Sequence, residues 1–293
     1  MTKQEFADLA DKGLILLDGA TGSNLIKAGM PRGTCTEKWV LEHPDVLIDL
    51  QKAYVQAGSQ IVFAPTFGVN RFNMESFGLA GQLEPMIRRL VGFSQEAVGG
   101  KALIAGDIST TGQMLEPRGT MTYERLLEIY SEQITLLVEA GVDLLGAETL
   151  MSIDEAMAIL DAAASVCDLP VMCSLTLEAD GTALYGGSAV ETMETLQEMG
   201  AAAVGVNCSV GPDQLEAVIA SMKSVAKVPV IAKPNAGLPT ITPEGEAIYR
   251  MGSEEFVRYM KVLVDAGAGI IGGCCGTTPE FIEGLAAMKQ SLL

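Results

Sequence analysis

Two adjacent cysteines, Cys274 and Cys275, stand between glycines in the stretch Gly272-Gly273-Cys274-Cys275-Gly276-Thr277-Thr278-Pro279. Neighbouring side chains on a strand point to opposite faces and glycine fills no core, so packing gives this pair little reason to exist. Thiolates are ligands for soft or borderline ions such as Zn2+, and three of them leave a fourth tetrahedral position open, as catalytic zinc does. Cys208 is the candidate third donor, 66 residues before Cys274. The competing reading, a small buried hydrophobe at Cys208 and a pair without chemistry, stays open on spacing alone. Cys35, Cys167 and Cys173 lack such neighbours and read as structural thiols.

Carboxylates are the second group able to do chemistry. Asp18, Asp107 and Glu148 each follow an apolar run, as do Thr66, Asn207 and Asn235. A carboxylate pair can act as general acid and base or can bind a cation. The only histidine, His43, lies in Glu42-His43-Pro44-Asp45 at an apparent helix start, which argues against a Ser-His-Asp hydrolase.

The elements that must hold these residues alternate regularly. Short apolar runs begin near residues 13, 60, 102, 142, 170, 202, 228 and 269, and each is followed by a segment of helical periodicity. The clearest helices are expected over 44–58, 83–98, 123–141, 154–166, 189–200, 212–225 and 253–267, with a last one opened by Pro279. Ala57-Gly58, Ala140-Gly141, Met199-Gly200 and Ala266-Gly267 supply helix stops before strands. Eight such units with near-continuous apolar strands predict an α/β fold, a single (β/α)8 TIM barrel occupying 1–293 as one domain; an open doubly wound sheet is the alternative. In a barrel the strand C-termini converge on one face, which would bring Cys208 and the vicinal pair to one rim.

Composition bounds the partners. With 37 Asp and Glu against 19 Lys and Arg the net charge is -18, so nucleic acid and anionic membranes would be repelled. The N-terminal residues lack a basic n-region followed by an apolar h-region, and no apolar run approaches spanning length, so a cytoplasmic protein is expected. Six cysteines in 293 residues do not suggest a secreted disulfide framework.

Seven motifs resemble, in order, those of the homocysteine S-methyltransferase family, and within it the homocysteine-binding barrel of cobalamin-dependent methionine synthase. They are Asp18-Gly19-Ala20-Thr21-Gly22, Ala64-Pro65-Thr66-Phe67-Gly68, Gly106-Asp107-Ile108, Glu148-Thr149, Gly205-Val206-Asn207-Cys208-Ser209, Lys233-Pro234-Asn235-Ala236-Gly237 and Gly272-Gly273-Cys274-Cys275-Gly276-Thr277. The resemblance implies that Cys208, Cys274 and Cys275 bind one Zn2+ per chain and that the homocysteine sulfur takes the open position. It also implies that Asp18 and Glu148 receive the substrate ammonium. Thr66, Phe67 and Gly68 would lie beside the substrate, with backbone amides toward its carboxylate, and Asn207 would join them. For Asp107, satisfying nearby loop amides is at least as good a reading as substrate contact.

The implied reaction is methyl transfer to the homocysteine thiol to form methionine, by displacement with no catalytic side chain beyond the metal-activated substrate thiolate. Gly68 stands where betaine-using relatives carry an aromatic residue, which disfavours a quaternary ammonium donor. The chain shows no Asp-x-His-x-x-Gly setting for a cobalamin module of its own, so the donor is expected to be methylcobalamin on a separate corrinoid protein. The alternatives are a stand-alone enzyme using S-methylmethionine or S-adenosylmethionine, and, in another class, a non-catalytic zinc-binding scaffold barrel.

Overall fold

The computed structural model describes residues 1–243 and 245–292. Eight parallel strands, β1 (Ile15–Leu16), β2 (Ile61–Phe63), β3 (Leu103–Ile108), β4 (Leu144–Leu150), β5 (Val171–Leu175), β6 (Ala203–Cys208), β7 (Val230–Pro234) and β8 (Ala268–Ile271), form one sheet in the order β1-β8-β7-β6-β5-β4-β3-β2. Gln60 bridges the two ends. Its N–H donates to Leu16 O at 2.7 Å and its Oε1 accepts from Leu16 N–H at 3.1 Å, so the sheet is a nearly closed barrel with helices between the strands. The expected (β/α)8 fold is the observed one.

Side-chain alternation divides the apolar residues into two cores. Ile15, Leu17, Ile61, Phe63, Ala105, Leu144, Met172, Ala203, Ile231 and Ile270 fill the barrel interior, with Phe6 of the N-terminal helix Lys3–Asp11 packed among them. Their sequence neighbours, such as Leu16, Val62, Ile104 and Leu145, face outward into the layer shared with the helices. The interior turns polar towards the strand ends. Counting by twos from the apolar layer reaches Asp107 on β3, Glu148 on β4, Ser174 on β5, Asn207 on β6 and Lys233 on β7, all buried. The same period that builds the core therefore delivers the polar floor of the site.

The glycine stops behave as expected: Gly58, Gly141, Gly200 and Gly267 have φ of 113°, 85°, 91° and 117°, the left-handed turn that ends a helix and frees the chain to enter a strand. Three departures concern loops. The helix expected over 212–225 is a 3-10 turn, Pro212–Gln214, followed by Glu216–Val225, because Leu215 (φ -106°) interrupts the helical backbone. Short helices Gly22–Lys27, Thr36–Glu42 and Arg71–Glu75 occupy stretches too brief to show a period. The segment after β7 carries an antiparallel hairpin, Thr240–Ile241 with Ala247–Ile248.

One buried carboxylate anchors the loop that follows β3. Glu155, in the first turn of helix Ile153–Val166, accepts from Thr110 Oγ1 (2.6 Å), Thr111 N–H (2.7 Å), Thr111 Oγ1 (2.8 Å) and Tyr130 Oη (2.7 Å). Glu155→Ala would leave the buried Thr111 amide without its acceptor and take from the Thr110, Thr111 and Tyr130 hydroxyls the carboxylate they donate to. It is expected to lower unfolding free energy by about 2–4 kcal/mol, measured by urea denaturation.

Candidate metal and substrate site

Strands β6 and β7 and the loop after β8 meet where the three cysteines lie. Cys208 closes β6 opposite Pro234 of β7, with Asn207 opposite Lys233. Cys274 N–H donates to Pro234 O at 2.7 Å, Ala236 N–H to Cys275 O at 2.9 Å, and Gly273 N–H to Asp18 O at 3.0 Å, so the loop is stitched to both neighbouring strands. Close approach explains the glycines: a Cβ on Gly272 would come within 2.8 Å of Asp18 O, and one on Gly273 within 2.5 Å of Thr277 Oγ1. Cys208 and Ser209 adopt φ of 59° and 61°, a left-handed conformation that non-glycine residues seldom hold without a reason in the surroundings.

The three Sγ atoms lie within 4.8 Å of one another. Tetrahedral zinc with Zn–S bonds of about 2.3 Å requires sulfurs roughly 3.8 Å apart, a separation this grouping can supply for three ligand positions. Charge supports the same fit. Hydrogen bonds from Cys208 and then Cys274 hold Cys275 well below the usual thiol range, while hydrogen bonding to Cys274 and Cys275, with burial, pushes Cys208 up. Three buried thiolates side by side would repel one another, and a divalent cation is what would let all three ionise. Asn235 Oδ1, next to the Pro234 that pairs with Cys208, is buried with no hydrogen-bond partner. Donor chemistry and spacing both fit a zinc-type ion. The other cysteines stand apart: Cys35 Sγ contacts Glu37 Oε2 at 3.4 Å, Cys173 is buried in β5, and Cys167 ends a helix.

The thiols open onto a cavity of about 270 Å3 at the C-terminal ends of the strands, whose wall includes Asp18, Glu37, Phe63, Phe67, Asp107, Glu148 and Lys233. Burial raises the Asp18 carboxyl to about 6, although the Lys233 charge and the Phe63 N–H pull it down. Burial likewise raises Glu148 against the pull of Lys233, and raises Asp107 well above the carboxylate range, with the Glu148 charge adding to it. Lys233 is opposed by its own burial, but Glu148 and Asp18 outweigh this and keep it charged.

The residues expected to surround substrate divide into two groups. Asp18, Glu148 and Phe67 line the cavity. Thr66, Gly68 and Asn207 are set back and engaged by the protein itself. Thr66 N–H donates to Ala64 O, and its hydroxyl exchanges hydrogen bonds with the Asp107 backbone at 2.9 and 3.0 Å. The Gly68 amide, expected to face a carboxylate ligand, donates instead to Glu37 Oε1 at 2.7 Å. Asn207 Oδ1 accepts from Thr149 N–H (2.7 Å) and Ser174 Oγ (2.8 Å), and its Nδ2 donates to Thr149 Oγ1. It therefore fixes Thr149, itself at φ 59°, immediately after Glu148. His43 stacks on Trp39 at 4.2 Å and takes no part in the cavity wall.

Lys233 was missed from sequence as a site residue. The available signal was a lysine two positions after Ile231 in an apolar strand, where the alternation turns it inward and burial demands an acidic partner.

Fold and site together define a class: a parallel (β/α)8 barrel that gathers three thiols and a buried set of carboxylates at the mouth, suited to a thiophilic metal and a small cationic ligand. The chain belongs to the homocysteine S-methyltransferase family, whose model matches residues 15–288. It is 28% identical over 288 residues to the methionine synthase of Mycobacterium leprae and 27% identical over 306 residues to that of Mycobacterium tuberculosis, covering 92% and 98% of this chain. It spans only about a quarter of those relatives' length, 24% and 26%. The metallated form of the Escherichia coli homocysteine methyltransferase MmuM superposes with a TM-score of 0.80 at 22% identity, covering 96% of this chain and 98% of that one, which is a likeness of fold.

Proposed function

We propose that this barrel binds homocysteine and directs methyl transfer to its thiol, giving methionine, in the cytoplasm. The observation that carries the reading is the opening of Cys208, Cys274 and Cys275 onto the same cavity as Asp18 and Glu148. Cys208, Cys274 and Cys275 would hold Zn2+, which when bound supplies deprotonation of a coordinated thiol and a fixed direction for its lone pair. The side chains do the rest by placement. Asp18 and Glu148 receive the ammonium, the end of β6 and the loop after β8 hold the three thiols at the cavity, and Phe67 lines its wall. The attacking sulfur gains the methyl carbon as the donor's bond to it breaks, so no general base is required in that step.

The donor we favour is methylcobalamin presented by a separate corrinoid protein. Its support is the surface around the mouth: Phe67, Met114, Leu184 and Leu238, on the loops after β2, β3, β5 and β7, are large apolar side chains left exposed at 38%, 41%, 60% and 55%. A small sulfonium donor is the second reading, favoured by the enclosure of the thiols within a cavity of small-molecule size. Incubating the zinc-loaded protein with homocysteine and each donor separates them. Methionine is expected with methylated corrinoid protein, and turnover with S-methylmethionine or S-adenosylmethionine in the absence of any corrinoid would replace the partner reading with the second one. Failure with every donor, alongside intact zinc binding, would leave the scaffold reading.

A further inference from the structure

Among the described residues Lys233 is the one cation in a cavity wall that carries four carboxylates, Asp18, Glu37, Asp107 and Glu148. Its Nζ lies 2.7 Å from Glu148 Oε2, 3.6 Å from Asp18 Oδ1 and 4.1 Å from the centroid of the Phe63 ring. The ring has its place because residue 146 is glycine; a Cβ there would come within 2.3 Å of Phe63 Cε1. Phe63 also holds Asp18, its N–H donating to Oδ2 at 2.8 Å.

Each of the two carboxylates is thereby divided. One oxygen is anchored by a hydrogen bond, Glu148 Oε2 by Lys233 and Asp18 Oδ2 by Phe63, and the other keeps its hydrogen-bonding capacity: Asp18 Oδ1 has no hydrogen-bond partner, only the 3.6 Å ion pair with Lys233, and Glu148 Oε1 accepts no hydrogen bond from the described residues. Two anionic groups lining one buried cavity would otherwise repel and turn apart. A cation lodged between them, seated on an aromatic face, keeps them in register. Lys233 also opposes a second ammonium by charge. Even leaving aside Asp107, whose carboxyl burial raises well above the carboxylate range, Asp18, Glu37 and Glu148 outnumber the one lysine, so the fixing of acceptors outweighs that opposition.

We propose that Lys233 is a positioning residue for ammonium recognition: it presents Asp18 Oδ1 and Glu148 Oε1 as a pair and so gives the site its preference for a thiol that bears an α-ammonium over one that lacks it. This rests on the reading of the cavity as the homocysteine site.

The test is calorimetric titration of the zinc-loaded protein with homocysteine and with its desamino analogue, 4-mercaptobutanoate, for the parent and for Lys233→Met. The parent should prefer homocysteine. Lys233→Met should weaken homocysteine about tenfold or more, the scale of one charge-assisted hydrogen bond, and change the analogue by less than about threefold. Equal loss for both thiols would make Lys233 merely structural, and no loss, or tighter homocysteine binding, would make it a bystander or a competitor; each overturns the proposal. Phe63→Leu, which keeps the charge and removes its aromatic seat, should produce a smaller selective loss and serves if Lys233→Met does not fold. A parent that binds the analogue as well as homocysteine would overturn the amino-acid reading itself, an outcome separate from any variant's behaviour.

Discussion

Cys274→Ala is expected to weaken zinc binding by more than about 100-fold, since loss of an outer-shell partner alone costs 10–100-fold and here a ligand itself is lost. The loop should survive the change. Cys274 is held through its backbone, N–H to Pro234 O at 2.7 Å and O accepting from Thr277 N–H at 3.1 Å and Thr277 Oγ1 at 2.8 Å, so alanine removes a sulfur and little else. Two thiolates and solvent are a poor site for an ion that prefers tetrahedral sulfur. Chelator competition reads the affinity directly, and proton release on adding homocysteine to the zinc-loaded protein reads the open position; both should fail together in Cys274→Ala and in Cys208→Ala. Cys173→Ser, buried in β5 away from the cluster, is the control and should leave zinc affinity unchanged. A Cys208→Ala protein that binds zinc as tightly as its parent would end the three-thiol assignment.

Why Cys208 could be linked to Cys274 from sequence, and the partners of Asn207 and Gly68 could not, comes down to periodicity. Eight apolar runs with helical segments between them dictate a parallel barrel, and a barrel dictates that strand ends share a rim, so residues 66 apart could be placed together before any coordinates. Side-chain direction at that rim follows the period of two only while the strand lasts. Asn207 keeps to it and points inward, yet its amide is consumed by Thr149 and Ser174, a fact set by strands β4 and β5 rather than by its own neighbours. Gly68 illustrates the same limit. Its N–H was free in sequence terms, and it is taken by Glu37, which arrives on a seven-residue helix, Thr36–Glu42, too short to announce itself. Hydrogen-bond demand among buried groups is settled by tertiary neighbours, and those are what a single strand's pattern cannot carry.

Asp18→Asn is expected to raise KM for homocysteine about 10- to 100-fold while leaving kcat within a few fold, the signature of lost ammonium recognition rather than lost chemistry. The geometry fixes how asparagine would sit. Phe63 N–H needs an acceptor where Asp18 Oδ2 now lies, so the amide oxygen takes that place and the NH2 turns toward the cavity, setting donor against ammonium. The acid limb of the pH profile gives an independent reading. With its carboxyl raised to about 6, chiefly by burial, Asp18 holds a proton below that pH, so kcat/KM of the parent should fall with the ionised fraction as pH drops through about 6. The sign for stability is the reverse of a salt-bridged carboxylate. The folded chain binds this proton more tightly than the unfolded chain does, so stability is lost as pH rises from the ordinary carboxylate range through about 6, and an ammonium ligand should restore part of it. Homocysteine should therefore raise Tm more at pH 7.5 than at pH 5, and Asp18→Asn should flatten that difference along with the acid limb. Burial raises Glu148 as well, so an acid limb that persists unchanged in the asparagine variant would shift the recognition charge from Asp18 to Glu148.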